Sequence, residues 1–378
     1  MIALVKYKSI MHKWFYIEDD SYVDVIFGAM FANRIDAHPV WLHIVGPPGC
    51  GKTVVLDSLE GHPSVYALGT LTARTLASGK IQDPGEEDPS LLPKLRNKVL
   101  VIKDFTAMLT ARYEDVVEIS GQLRDVFDGS FRAVFGTGKD IRYEVKFGLI
   151  SAVTEALYDH IKMLAGLGER FLVYQMPRLS EDEVQKRTLV AATSGSENMS
   201  VCKHELTVAA FNVLQIQQKP VIVPPDVVRK LTRVARLAAR GRTPITRDRY
   251  HQFAVRRAFT PEVPTRIVKQ LVTLAKGICM ARQMKKVDDY VLELVCEVAM
   301  GCIPPKRRKT LEMLKKWEGQ PVKPTSKMLA SLLRLSDMQV RRRMHDLATL
   351  ELVDEVRAGV GGTGSFVYSL KREWADLI

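Results

Sequence analysis

Val40-Trp41-Leu42-His43-Ile44-Val45 runs into Gly46-Pro47-Pro48-Gly49-Cys50-Gly51-Lys52-Thr53, and Val54-Val55-Leu56-Asp57-Ser58-Leu59 follows. The first six residues are a continuous run of strand length and the last six carry apolar residues at helical spacing, so the segment reads strand, loop, helix. The loop has the form GxxxxGK[ST], which in that setting binds phosphates. Its glycines let backbone N–H groups close around phosphate oxygens, and the following helix adds its positive N-terminus. Lys52 is expected to reach the β- and γ-phosphates and Thr53 to ligate Mg²⁺, with Gly46, Pro47, Pro48, Gly49, Cys50 and Gly51 around the phosphate chain. ATP with Mg²⁺ is the expected ligand.

A P-loop ATPase also needs an acid on the metal side, at the end of a neighbouring strand. Val99-Leu100-Val101-Ile102-Lys103-Asp104 is that strand. If the apolar run closes at Ile102, Lys103 occupies the metal-ligand position and Asp104 the water-activating one. If the strand runs one residue further, Asp104 is the metal acid and Phe105 stands where a glutamate is usual. Asp104 matters in both registers. No second acid adjoins it, which leaves Glu114 and Glu118, in or beside a helix expected near Val116–Phe127, as candidates for the general base. Past that helix, two short alternating segments flank Gly136-Thr137-Gly138-Lys139, the pattern of a β-hairpin. Phe147-Gly148-Leu149-Ile150-Ser151-Ala152-Val153-Thr154 reads as a buried strand ending on a hydroxyl, which places Thr154 to sense the γ-phosphate.

In this order the chain resembles the AAA+ ATPases, over roughly residues 25–310. The form it is most similar to is the hairpin-bearing branch that includes the minichromosome maintenance helicases and similar ATPases of phages and mobile elements. The resemblance implies that Arg170, in Leu167-Gly168-Glu169-Arg170-Phe171 ahead of a strand at Leu172–Gln175, is an arginine finger reaching the nucleotide of a neighbouring subunit. It implies that Lys139 sits on a hairpin that points into a ring channel and touches DNA. Pro261-Glu262-Val263-Pro264-Thr265-Arg266 looks like the start of a lid helix of that branch, so Arg266 matches the arginine that ties the lid to the γ-phosphate, with Arg256 and Arg257 close enough to compete. A helix at Val287–Met300 fits the end of the lid. A homo-oligomeric ring, hexameric by the same resemblance, is implied.

The charge is uneven. The net +12 divides into −2 over residues 1–180 and +14 over 181–378, so a near-neutral half is followed by a basic half suited to a polyanion. Residues 181–300 read as helices separated by polar breaks at Ser194–Ser200 and Lys219–Pro225. Asp226 is expected to cap a helix ending at Gly241, along which Arg229, Arg233, Arg236 and Arg240 share one stripe. From Lys306 the pattern is a helix to about Trp317, a short helix at Thr325–Leu333, another capped by Ser336 and running to about Thr349, and an alternating segment Leu352–Leu370 around Gly359, Gly361, Gly362 and Gly364. Together these resemble a winged helix. Gln339, Arg341, Arg342 and Arg343 on its second turn helix suit groove or phosphate contact with DNA.

The expected fold is α/β: a RecA-like AAA+ core with a mostly parallel sheet over 25–180 after an N-terminal segment 1–24, a helical lid over 181–304, and a winged-helix domain over 305–378. A chain that is 46% hydrophobic and 26% charged is neither disordered nor collagen-like, and its five cysteines show neither ligand spacing nor a disulfide framework. With no 18-residue apolar run, a cytoplasmic location without a membrane partner is expected. The expected function is that of an ATP-dependent DNA motor, a hexameric helicase or translocase in replication of a phage or mobile element, with replication proteins as further partners. The alternative is a non-translocating switch: a helicase loader, replication initiator or transposition matchmaker whose ATP-bound assembly recruits another protein.

Overall fold

A computed structural model describes residues 2–81, 83, 85–160, 170–193, 196–248, 255–358 and 365–378. Leu167, Gly168 and Glu169 ahead of Arg170, and the glycines Gly359, Gly361, Gly362 and Gly364, lie outside the described residues, as do the side chains of Arg256 and Arg257. The chain divides into two compact units, one holding Met1–Val228 and Lys269–Val298, the other Arg229–Val268 and Ala299–Ile378. These limits run across the expected 181–304 segment, and residues 1–24 belong to the first unit with the sheet.

In chain order the elements are α1 (Ala3–Trp14), α2 (Ser21–Ala32), β1 (Trp41–Val45), α3 (Lys52–Ser58), β2 (Val65–Leu68), α4 (Ala73–Leu76), β3 (Val99–Ile102), α5 (Thr106–Leu109), α6 (Tyr113–Phe127), β4 (Ser130–Val134), β5 (Asp140–Glu144), β6 (Gly148–Val153), β7 (Phe171–Gln175), α7 (Glu181–Thr193) and α8 (Ser196–Leu214). Then come α9 (Pro225–Arg242), β8 (Ile245–Arg247), β9 (Val255–Ala258), α10 (Thr265–Ala281), α11 (Asp289–Gly301), α12 (Pro305–Lys315), α13 (Ser326–Leu333), α14 (Asp337–Thr349), β10 (Val353–Arg357) and β11 (Phe366–Leu370).

Five strands build one parallel sheet in the order β2-β3-β6-β1-β7. Every residue of β1, β3 and β6 is buried, as a parallel sheet covered on both faces requires. β6 lies between β1 and β3, with Val153 opposite Val45 and Ser151 opposite Ile102. The carboxyl ends of these three strands therefore stand side by side, the edge at which ligands bind in open α/β sheets. β4 and β5 form the expected antiparallel hairpin.

Helix α2 is buried from Tyr22 through Ala32, as a helix apolar on nearly every face must be. Its one carboxylate, Asp24, is fully buried and satisfied: it pairs with Lys8, accepts from Arg282 at 2.9 Å, and accepts from the Tyr290 hydroxyl at 3.0 Å. Gly28 faces Gly277 of α10 so closely that a Cβ on Gly277 would lie 2.1 Å from the Gly28 carbonyl oxygen.

Several local expectations need correction. The segment 181–300 is not purely helical, because β8 and β9 pair antiparallel; Ile245, Thr246 and Val255 are β-branched, and Pro244 blocks continuation of α9. The expected break at Ser194–Ser200 gives way to α8 from Ser196 onward, where the buried Cys202 and Leu206 supply an inward face. Asp226 lies inside the first turn of α9, which starts at Pro225, since a proline's fixed φ suits the first helical position. Of the two registers left open for β3, the strand takes the first and ends at Ile102, before Lys103 and Asp104. β2, an edge strand of four residues, went unread as a strand.

In the second unit, α13 packs on α14, α14 on β10 and α12 on β11, and β10 and β11 pair antiparallel. No described helix is long and apolar enough to cross a membrane.

Candidate functional site

The loop after β1 is shaped by its glycines. Gly49 and Gly51 have φ of +76° and +95°, the left-handed region in which a side chain is strained. At Gly46 an added Cβ would meet Met176 at 2.8 Å. Lys52 opens α3, and its buried ammonium turns back into the loop, donating to the carbonyl oxygens of Gly46 and Pro47 at 2.7 Å each. The Thr53 side chain is exposed.

β1 is fixed from beneath by apolar and ring contacts. Trp41 donates to the Phe147 carbonyl at 2.9 Å. His43 hydrogen-bonds Ser151 on β6 at 2.6 Å and stacks on Phe171 of β7 at 3.8 Å. Burial pushes its imidazole pKa down to about 3, so the ring is neutral.

At the end of β3, successive side chains take different directions. Lys103 lies 2.6 Å from Asp57 on α3 and 2.7 Å from Glu60 just beyond it. Phe105 is buried against His43 and Phe171. Asp104 is exposed and accepts the Thr106 N–H at 2.9 Å. The Thr106 hydroxyl in turn accepts the Thr154 N–H at 3.1 Å and lies 3.3 Å from the Thr154 hydroxyl. Asp104 and Thr154 are thus joined through Thr106, a residue with no sequence signal of its own. Glu114 and Glu118 are exposed on α6.

Beside the loop opens a cavity of about 450 Å³, within the range of small-molecule sites. One wall is the stretch Gly49 to Val54; the facing wall includes Trp14, Phe15, Tyr16 and Tyr22, with Met199 and Arg187 from the helices after the sheet. Arg187 donates to the Cys50 carbonyl at 3.2 Å. Sequence reasoning passed over this wall. The aromatic run Trp14-Phe15-Tyr16 was the available hint, but nothing in its spacing ties it to a loop some thirty residues later.

Arg170 is buried in the first unit, its guanidinium donating to Asp128 at 2.9 Å, while Gln270 holds its backbone carbonyl at 2.9 Å. Arg266 belongs to the second unit and lies 3.9 Å from Glu262. At the hairpin tip, Lys139 donates to the Lys80 carbonyl and Thr137 to the Gly79 carbonyl, both at 2.8 Å. The tip is therefore fastened to the segment that follows α4.

In the second unit, Arg341 is tied to Asp337 at 2.9 Å, Arg342 is exposed, and Arg343 is half-buried, its guanidinium pKa lowered by desolvation. Gln339 closes a capping box, its side-chain oxygen accepting the Ser336 N–H at 3.1 Å. The α9 stripe is largely engaged within the unit: Arg233 pairs with Asp376 at 2.6 Å, Arg236 with Glu373 at 3.6 Å, and Arg240 with Glu351 at 2.5 Å. Compared with known proteins, the chain matches no family model and no curated sequence.

Proposed function

We propose that this chain is an ATP-dependent motor acting on DNA, a RecA-like AAA+ ATPase with a helical lid and a C-terminal winged helix, working as a hexameric ring in the replication of a phage or mobile element. The observation that carries this reading is the row at the carboxyl edge of the sheet: the phosphate loop after β1, Asp104 after β3, and Thr154 after β6 between them.

In this reading the loop amides and Lys52 hold the triphosphate. A phosphate oxygen replaces the carbonyls now bound to Lys52, and the anionic oxygen is the stronger acceptor for the ammonium. Among the described residues no three His, Cys, Asp or Glu side chains gather into a metal cage. The donor set fits Mg²⁺ held by one or two protein oxygens plus phosphates, with Thr53 and, because Lys103 at the metal-side position is committed to Asp57 and Glu60, Asp104 as the protein's share. Bound Mg²⁺ would neutralise charge on the phosphates. Thr154 senses the γ-phosphate and Thr106 fixes it relative to Asp104. To act across a subunit interface Arg170 must first leave Asp128, and to grip DNA Lys139 must leave the Lys80 carbonyl. Arg266 is assigned to coupling the lid, and Arg341, Arg342 and Arg343 to DNA. The winged-helix reading is supported by α12 to α14, the hairpin β10–β11, and the bridge from Thr325 to Val367.

A second reading is favoured by one feature: the residue after Asp104 is the buried Phe105 and not a carboxylate. A slow site suits a loader, initiator or matchmaker, in which the ATP-bound assembly itself signals to replication proteins. Incubation with ATP and a forked duplex separates the two. The motor unwinds the fork and Lys52→Ala abolishes unwinding; ATP-dependent assemblies on DNA with no strand displacement would sink the motor in favour of the switch.

A further inference from the structure

The cavity beside the phosphate loop presents two polar groups that the assigned roles leave unused. Tyr22, on α2, is 1% exposed and lines this cavity. A Cβ built on Gly51 would lie 3.4 Å from that hydroxyl, so the phenol stands directly over the loop. Arg187, on α7, reaches the same loop. One of its nitrogens donates to the Cys50 carbonyl at 3.2 Å, its carboxylate neighbour Glu183 is 3.9 Å away, and its Nε is buried with no partner. A buried donor left unpaired is unfavourable, and it gains most when an anion arrives. Burial raises the Tyr22 pKa above its ordinary value, so its hydroxyl stays a neutral donor near pH 7.

Both groups border the one cavity that Lys52 and Thr53 also line. The loop's amides enclose phosphates from the backbone; these two side chains face the loop from helices that precede and follow the sheet. We propose that Tyr22 and Arg187 form a second, side-chain wall of the phosphate site, contacting the phosphate chain of the bound nucleoside triphosphate. Through Arg187 the position of α7 then depends on whether that chain is present. This rests on the nucleotide-binding reading given above and adds two contacts to it.

The test titrates the full-length chain with a fluorescent ATP analogue, and separately displaces that analogue with inorganic tripolyphosphate, which has the charges and no base. Wild type, Lys52→Ala, Arg187→Ala, Arg187→Lys and Tyr22→Phe are compared, each with a thermal melt. The expected result is that Arg187→Ala weakens the analogue and tripolyphosphate alike by roughly tenfold or more, that Arg187→Lys recovers part of the loss, and that Tyr22→Phe weakens both by several-fold with its melt unchanged. If Arg187→Ala and Tyr22→Phe bind like wild type while Lys52→Ala does not, the second wall is wrong and the nucleotide site stands. Loss of analogue binding with tripolyphosphate unaffected would also overturn it, since the contact would then lie on the base or sugar. A wild-type chain that binds neither probe would overturn the nucleotide reading itself. Tyr22→Phe removes one oxygen, so it decides the matter even if Arg187→Ala unfolds.

Discussion

Lys103 and Asp104 are neighbours in the chain with opposite commitments: Lys103 is neutralised by Asp57 and Glu60, whereas Asp104 is exposed at the strand end with a single backbone N–H. Asp104→Ala is expected to abolish ATP turnover while lowering stability by only about 0.5–1.5 kcal/mol, the worth of one hydrogen bond. Phosphate release and a urea melt measure the two, and wild-type turnover would place the metal acid elsewhere. The apolar run leading to Asp104 was readable from sequence; its register was not, because Phe105 is drawn inward by rings contributed from β1 and β7. His43 gives a second prediction. Its folded pKa of about 3 lies below the unfolded value of 6.5, so the unfolded chain binds the extra proton, and stability falls as pH drops from about 6.5 toward 3. Between pH 6.5 and 5 this one group accounts for about 1.5 kcal/mol. Denaturant titrations at both pH values should show His43→Gln with a loss smaller by that amount, and an unchanged loss would mean that His43 is not the acid-sensitive group.

At the scale of elements, the crossing of α2 and α10 is set by two glycines. Gly277→Ala would place a methyl against backbone atoms at 2.1 and 2.6 Å, which no side-chain rotation relieves. The expected loss is about 2 kcal/mol or more. Gly121, inside α6 with nothing within 4 Å of its built Cβ, is the control: Gly121→Ala should stabilise by about 0.5–1 kcal/mol. Equal effects at the two positions in a denaturant titration would contradict the packing described for the crossing. Four of the sheet's five strands, β1, β3, β6 and β7, and the β4–β5 hairpin were legible because each carries its own hydrophobic pattern and a flanking turn. β2, β8 and β9 were not, since three or four residues carry too little pattern to outweigh their neighbours. The hairpin was foreseen, but its fastening to Gly79 and Lys80 was not, because it depends on backbone carbonyls that any residue would supply.

For the whole molecule, the structural division sharpens the charge asymmetry: the first unit sums to −3 and the second to +15. The loop after β1 thus lies in an acidic unit, so in the proposed reading it binds phosphates by local geometry, and the entire basic excess lies in the unit which that reading assigns to DNA. Much of the α9 stripe is spent on internal pairs, leaving groups such as Arg342 outward. DNA affinity is expected to fall steeply with salt, and Arg342→Ala should reduce the log–log slope by about 1 if its contact is to phosphate. A flat salt dependence in filter binding or anisotropy would remove the polyanion from this reading. The first unit is also discontinuous, and time enters through that fact. At a synthesis rate of about 5–20 residues per second, Gly28 emerges between about 10 and 50 s before Gly277, its partner in the crossing. For that interval α2, a helix with almost no polar face, waits on the ribosome for a helix not yet made. Translation therefore leaves an apolar helix without its partner for that interval, and slowing synthesis between residues 33 and 277 is expected to lengthen it and to raise aggregation.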